Sequence, residues 1–88
     1  MDNKYLDFDN SNVTREILIP PNLIGRIEFC VIQLVYAYGG RLNHLAIIDD
    51  GMRIMALFED ESKEPEFSKI AQKVVDSGKP IEVTPPIT

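Results

Sequence analysis

One thiol, Cys30, and one imidazole, His44, are the only residues of their kind in the chain, and they bound its side-chain chemistry. A Cys–His pair needs both groups within hydrogen-bond reach, and a structural zinc site needs three or four soft or imidazole ligands. With a single cysteine, neither a disulfide framework nor a Cys-rich zinc site can form within the chain. Cys30 falls mid-helix beside an apolar face, where a packed, inert thiol is expected. His44 begins a strand and reads as a surface or hydrogen-bonded histidine. The run Asp7-Phe8-Asp9-Asn10-Ser11-Asn12 has the opening acids of a calcium loop. It lacks the rest, with Asn12 at the glycine position and Leu18 at the glutamate position. No Gly-Lys-Ser/Thr phosphate loop is present. The expectation is no catalytic residue, no metal and no cofactor, so a chain that binds and does not catalyse.

The charges point the same way. Fourteen acidic against nine basic residues give a net charge of -5, which argues against a nucleic-acid backbone as partner. Five of the acids, Glu59, Asp60, Glu61, Glu64 and Glu66, cluster with only Lys63 among them. Such a run is usually a solvated loop leading into a helix, and its sharper reading is a docking patch at Glu59, Asp60 and Glu61 for a basic partner. No basic and apolar leader opens the chain, and the stretch Leu23–Tyr38 is too short and too interrupted to span a bilayer. A cytoplasmic, membrane-free protein is the expectation, and the lone thiol fits a reducing compartment.

The elements that position these residues follow from patterning over 88 residues, enough for a single domain. A short strand is expected over residues 4–8 and a second over Val13–Ile19, stopped by Pro20-Pro21. A helix is expected from Leu23 to Tyr38, ended by Gly39-Gly40. Its main face carries Leu23, Ile24, Ile27, Val31, Leu34, Val35 and Tyr38. A second apolar face carries Phe29, Ile32 and Tyr36. Strands Asn43–Asp49 and Met52–Glu59 flank Asp50-Gly51, which reads as a two-residue hairpin turn that sets Ile47 opposite Ile54 and Leu45 opposite Ala56. Both hairpin faces are rather apolar. Ser62 reads as the N-cap of a second helix, on which Phe67, Ile70, Ala71, Val74 and Val75 make one stripe. Pro80 to Thr84 reads as a last strand.

Without the first strand this order is β-α-β-β-α-β, an α+β ferredoxin-like sandwich with an extra N-terminal strand and two helices on one face of an antiparallel sheet. RNA-recognition domains share that order but stack bases on aromatic rings. The corresponding strands here, Ile17-Leu18-Ile19 and Met52–Leu57, are aliphatic, so nucleic acid is not expected.

Strand Glu16–Ile19, the loop and helix start Pro21-Asn22-Leu23-Ile24-Gly25-Arg26-Ile27, the strand start Gly39-Gly40-Arg41-Leu42-Asn43 and the Asp50-Gly51 hairpin form one layout over Val13–Glu59. That layout resembles the ACT family of small ferredoxin-like regulatory domains. The chain departs from the family at Ile19-Pro20, where Asp and a polar residue are usual, and at Asn22, where glycine is usual. The resemblance implies a ligand site at Pro21, Asn22 and Leu23, facing Arg41 and Asn43, with Arg41 able to fork a carboxylate.

Two functions follow as expectations. One is a non-catalytic, ligand-sensing regulatory domain acting as a homo-oligomer, most simply a dimer, that binds a small metabolite. The other is a small acidic protein-binding module, an inhibitor or adaptor, including the kind encoded by mobile elements. The apolar surplus at Phe29, Ile32 and Tyr36 exceeds what two helices on one sheet can cover, which marks an oligomer or partner interface.

Overall fold

A computed structural model describes residues 13–83. Strands β1 (Val13–Ile19), β2 (Gly40–Ile48) and β3 (Gly51–Phe58) and helices α1 (Glu28–Ala37) and α2 (Lys63–Ser77) follow the order β1-α1-β2-β3-α2, with a 3₁₀ turn at Pro21–Leu23 before α1. The sheet is antiparallel in the order β1-β3-β2. β3 therefore lies between two parallel strands, a split β-α-β arrangement. The expected strand over residues 4–8 lies outside the described residues.

β1 forms where the alternation places it. Ile17 and Ile19 point into the core and are nearly or wholly buried, while Leu18 points the other way and is 42% exposed. From β3, Met52, Ile54, Ala56 and Phe58 face the same core. Ile27, Val31, Leu34 and Val35 close it from the first helical segment, and Phe67, Ala71 and Val74 close it from α2. Both helices thus cover one sheet face. Burial of large aliphatic side chains contributes about 1.5–3 kcal/mol each, so this layer is the main source of stability.

Four expectations need correction. α1 begins at Glu28, not Leu23, because Gly25 takes φ +92° and breaks the helical path. The Glu28 carboxylate reaches back to accept the Gly25 N–H at 2.6 Å, which satisfies a donor ahead of the helix. The hairpin turn is Asp49-Asp50, not Asp50-Gly51. It pairs Ile48 with Gly51, Ile47 with Met52 and Leu45 with Ile54. No non-glycine residue described has positive φ, so the aspartates take an ordinary turn and Gly51, at φ +134°, carries the positive dihedral. The faces are as expected, but the partner of each of these β2 residues moves by two positions along β3.

The third correction concerns the helix cap. Ser62 makes no side-chain cap hydrogen bond. Asp60 instead orders the turn that leads into α2, its side chain accepting from the Ser62 N–H at 3.0 Å and the Ser62 hydroxyl at 2.7 Å. These bonds favour the charged carboxylate and hold the Asp60 pKa below its ordinary value.

Fourth, residues 80–83 form no strand. Pro80 has no N–H to give a ladder. The segment instead turns back over α1, where the Ile81 N–H and carbonyl lie 3.4 and 3.5 Å from the Cys30 sulfur. Thr84 lies outside the described residues. Among those described, β1 therefore pairs on one side only, with β3.

The sheet face turned away from the helices carries Thr14, Glu16 and Leu18 from β1, Arg53, Met55 and Leu57 from β3, and Arg41, His44, Ala46 and Ile48 from β2. Leu42 pairs with Ala56 and His44 with Met55, so Asn43 is the extra residue of a bulge.

One polar cluster joins α2 to β1. The Arg15 Nε donates to Glu64 Oε2 at 2.5 Å, and the Ser68 hydroxyl donates to the same oxygen. The Ser68 hydrogen bond chiefly lowers the Glu64 pKa, partial desolvation opposes it, and Arg15 adds to the lowering. A depressed folded-state pKa gives stability that is present above the ordinary glutamate range and is lost as pH falls through the lowered value. We expect Glu64→Gln to cost about 1 kcal/mol at neutral pH, since Arg15 is half exposed. Urea denaturation from pH 7 to 3 should show the wild-type advantage shrinking with acid. A difference that stays constant across that range would refute the role assigned to Glu64.

Candidate functional site

The end of α1, the start of α2 and the returning segment 81–83 come together around one opening. The result is a groove of about 580 Å³. Leu34 and Ala37 of α1, Ile70 of α2, and Ile81 and Val83 give it an apolar lining. Tyr38, Asp60, Lys63 and Glu82 bring polar groups to it. An apolar pocket with a few convergent polar groups is the usual form of a small-molecule site. This one can hold a compound with an apolar body and a polar end.

Beside the groove runs an exposed stripe on α1. Phe29 is 73% exposed, Tyr36 is 54% exposed, and Ile32 lies half-buried between them. Their spacing puts them on one side of the helix. Ile32, Gln33, Tyr36 and Ala37 line a smaller recess of about 260 Å³ together with Val83. Val83 and Ala37 thus touch both the groove and the stripe. The structure brings together the three residues expected to form an interface.

The expected ligand residues are placed apart. Pro21–Leu23 sit at the hairpin end of the sheet, beside β3, where Pro21 and Asn22 are exposed. Arg41 pairs with Leu57 at the opposite end, 3.8 Å from the Glu59 carboxylate. Their β3 partners, Leu57 for Arg41 and Met52 for Ile47, stand five positions apart, roughly 17 Å of strand. Asn43 is exposed in the bulge between them. Within one chain these two groups do not face each other.

The acidic run is partly used by the fold. Asp60 holds the turn before α2 and Glu59 approaches Arg41, while Glu61 is exposed. Cys30 is buried against Ile81, and His44 is exposed on the open sheet face opposite Met55. Among the described residues, no cluster of three His, Cys, Asp or Glu could hold a metal ion. Nor, among them, is any helix long and apolar enough to cross a membrane.

Sequence reasoning found the stripe but missed the groove. Its lining comes from both helices and from residues 81–83, and no local spacing links segments so far apart. The one available signal was Ala37, a small residue on an otherwise bulky helix. Compared with protein-family models, curated proteins and solved structures, the chain finds no match.

Proposed function

We propose that this chain is a non-catalytic, ACT-like regulatory domain that senses a small molecule and works as a homo-oligomer. The carrying observation is that Val83 lines both the groove and the recess beside Tyr36. A compound that fills the groove presses on residues 81–83 and so changes the stripe that a partner meets. Signalling of this kind is a shift between populations, limited by the compound's differential affinity for the two arrangements. The groove replaces the loop Pro21–Leu23 as the proposed ligand site, because the loop has no Arg41 or Asn43 beside it in the same chain. The acidic adaptor reading has less support, since Asp60 and Glu59 already serve internal contacts.

A thermal-shift screen of amino acids, nucleotides and small organic acids tests this. A compound present at a hundred times its Kd adds about 2.7 kcal/mol, which moves the midpoint of a domain this size by roughly 10–20 °C. Ile70→Trp, which fills the groove, should keep the fold and abolish the shift. If no compound stabilises the protein at millimolar concentration, or if Ile70→Trp responds like the wild type, the groove is not the sensing site.

A further inference from the structure

The open sheet face carries an imbalance that a second copy of the chain would correct. Arg53 lies at its middle strand, between Leu18 of β1 and Ala46 of β2. Its Nε is buried and meets no hydrogen-bond acceptor. That atom is closed to solvent and so out of reach of any second molecule, and what this half-buried side chain offers a partner is its charge. Glu16, on the same face one diagonal step away, is exposed. Neither residue is paired with an opposite charge among the described residues.

We propose that two copies pack through this open face about a two-fold axis, each Arg53 meeting Glu16 of the second copy. The proposal rests on the homo-oligomeric reading above and gives it a surface. An axis in the plane of the contact, passing between Arg53 and Glu16, exchanges the two residues in position. One unpaired cation and one unpaired anion therefore become two identical pairs. Leu18 and Met55 lie between them and meet their own counterparts at the centre, which supplies the apolar area. The charges fix the angle and register of packing, and the apolar centre drives association. The stripe on α1 lies on the other side of the molecule and stays available to a partner protein.

The test is sedimentation equilibrium of the full chain with a charge swap. Wild type is expected to be a dimer. Arg53→Glu or Glu16→Arg alone sets like charges against each other at two symmetric places, and should raise the dimer Kd at least about a hundredfold. The double swap R53E/E16R should restore most of the affinity. Circular dichroism on each variant establishes that the fold is kept, and Leu18→Lys gives an independent disruption of the centre should Arg53→Glu fail to fold. A wild-type monomer at several hundred micromolar overturns the proposal, including the case where residues 1–12 cover this face from within. A dimer broken by Phe29→Asp and Tyr36→Asp but untouched by the sheet-face variants also overturns it. That last result would leave the ligand-sensing reading standing, whereas a silent thermal-shift screen would leave this interface standing.

Discussion

Gly51→Ala is expected to lose about 3 kcal/mol or more, enough to unfold much of a small domain's population. Two causes add at this position. An alanine would have to hold φ +134°, outside the regions open to a side chain, which costs on the order of 1–3 kcal/mol. Its Cβ would also lie 2.0 Å from the Ile19 carbonyl oxygen and 3.0 Å from the carbonyl carbon. Those are backbone atoms of β1, so no side-chain rotation relieves the clash. The end of β1 must move, and with it the Ile19–Met52 pairing. Gly25 provides the control. It has φ +92° but open space around it, so Gly25→Ala should show the dihedral cost alone, about 1 kcal/mol. Urea titrations of the two variants separate the causes. Equal losses would mean that β1 and the hairpin do not approach as closely as described.

Phe67→Ala is expected to cost about 3–5 kcal/mol. Phe67 and Phe58 are among the largest wholly buried side chains, and their rings sit 5.1 Å apart at 42°. They join α2 to the last residue of β3, the seam where helix layer and sheet are stitched by side chains far apart in sequence. Truncation leaves a cavity that the surrounding aliphatic residues fill only in part. Phe67→Leu keeps most of the volume, so it should remain folded and cost less. A double-mutant cycle of Phe58→Leu and Phe67→Leu should give a coupling of about 0.5–1.5 kcal/mol. Simple additivity would remove the ring pair from the stability account.

Much of this architecture is legible in the sequence. The alternation of Val13–Ile19 gave β1 its bounds, because Ile17 and Ile19 have one buried face to fill and Pro20 ends the ladder. The spacing of Phe67, Ala71 and Val74 gave α2 its inner face. Less legible were the places where backbone dihedrals decide. A glycine two residues into an apolar run looks like a tolerated helix residue, yet Gly25 delays α1 until Glu28. Asp50-Gly51 has the chemistry of a tight turn, yet the positive φ falls after the turn, inside the strand. Pro80 to Val83 alternates like a strand but lies over Cys30, where packing on α1 outweighs pairing with β1.

The same contrast holds for function. Phe29, Ile32 and Tyr36 announce a second apolar face because helical periodicity alone brings them together. The groove needs tertiary structure, since Leu34, Ile70 and Val83 meet only after the chain has folded back twice. Arg41 shows the converse, a residue suited to a carboxylate whose strand carries it away from the loop it was expected to face.

The central claim is that occupancy of the groove is felt at the α1 stripe. Amide chemical shifts of the full chain, recorded while a stabilising compound is titrated, test it most directly. The account predicts that shifts at Leu34, Ile70 and Val83 are accompanied by shifts at Ile32 and Tyr36 with the same apparent Kd. Shifts confined to the groove, with Ile32 and Tyr36 unmoved at saturation, would contradict it.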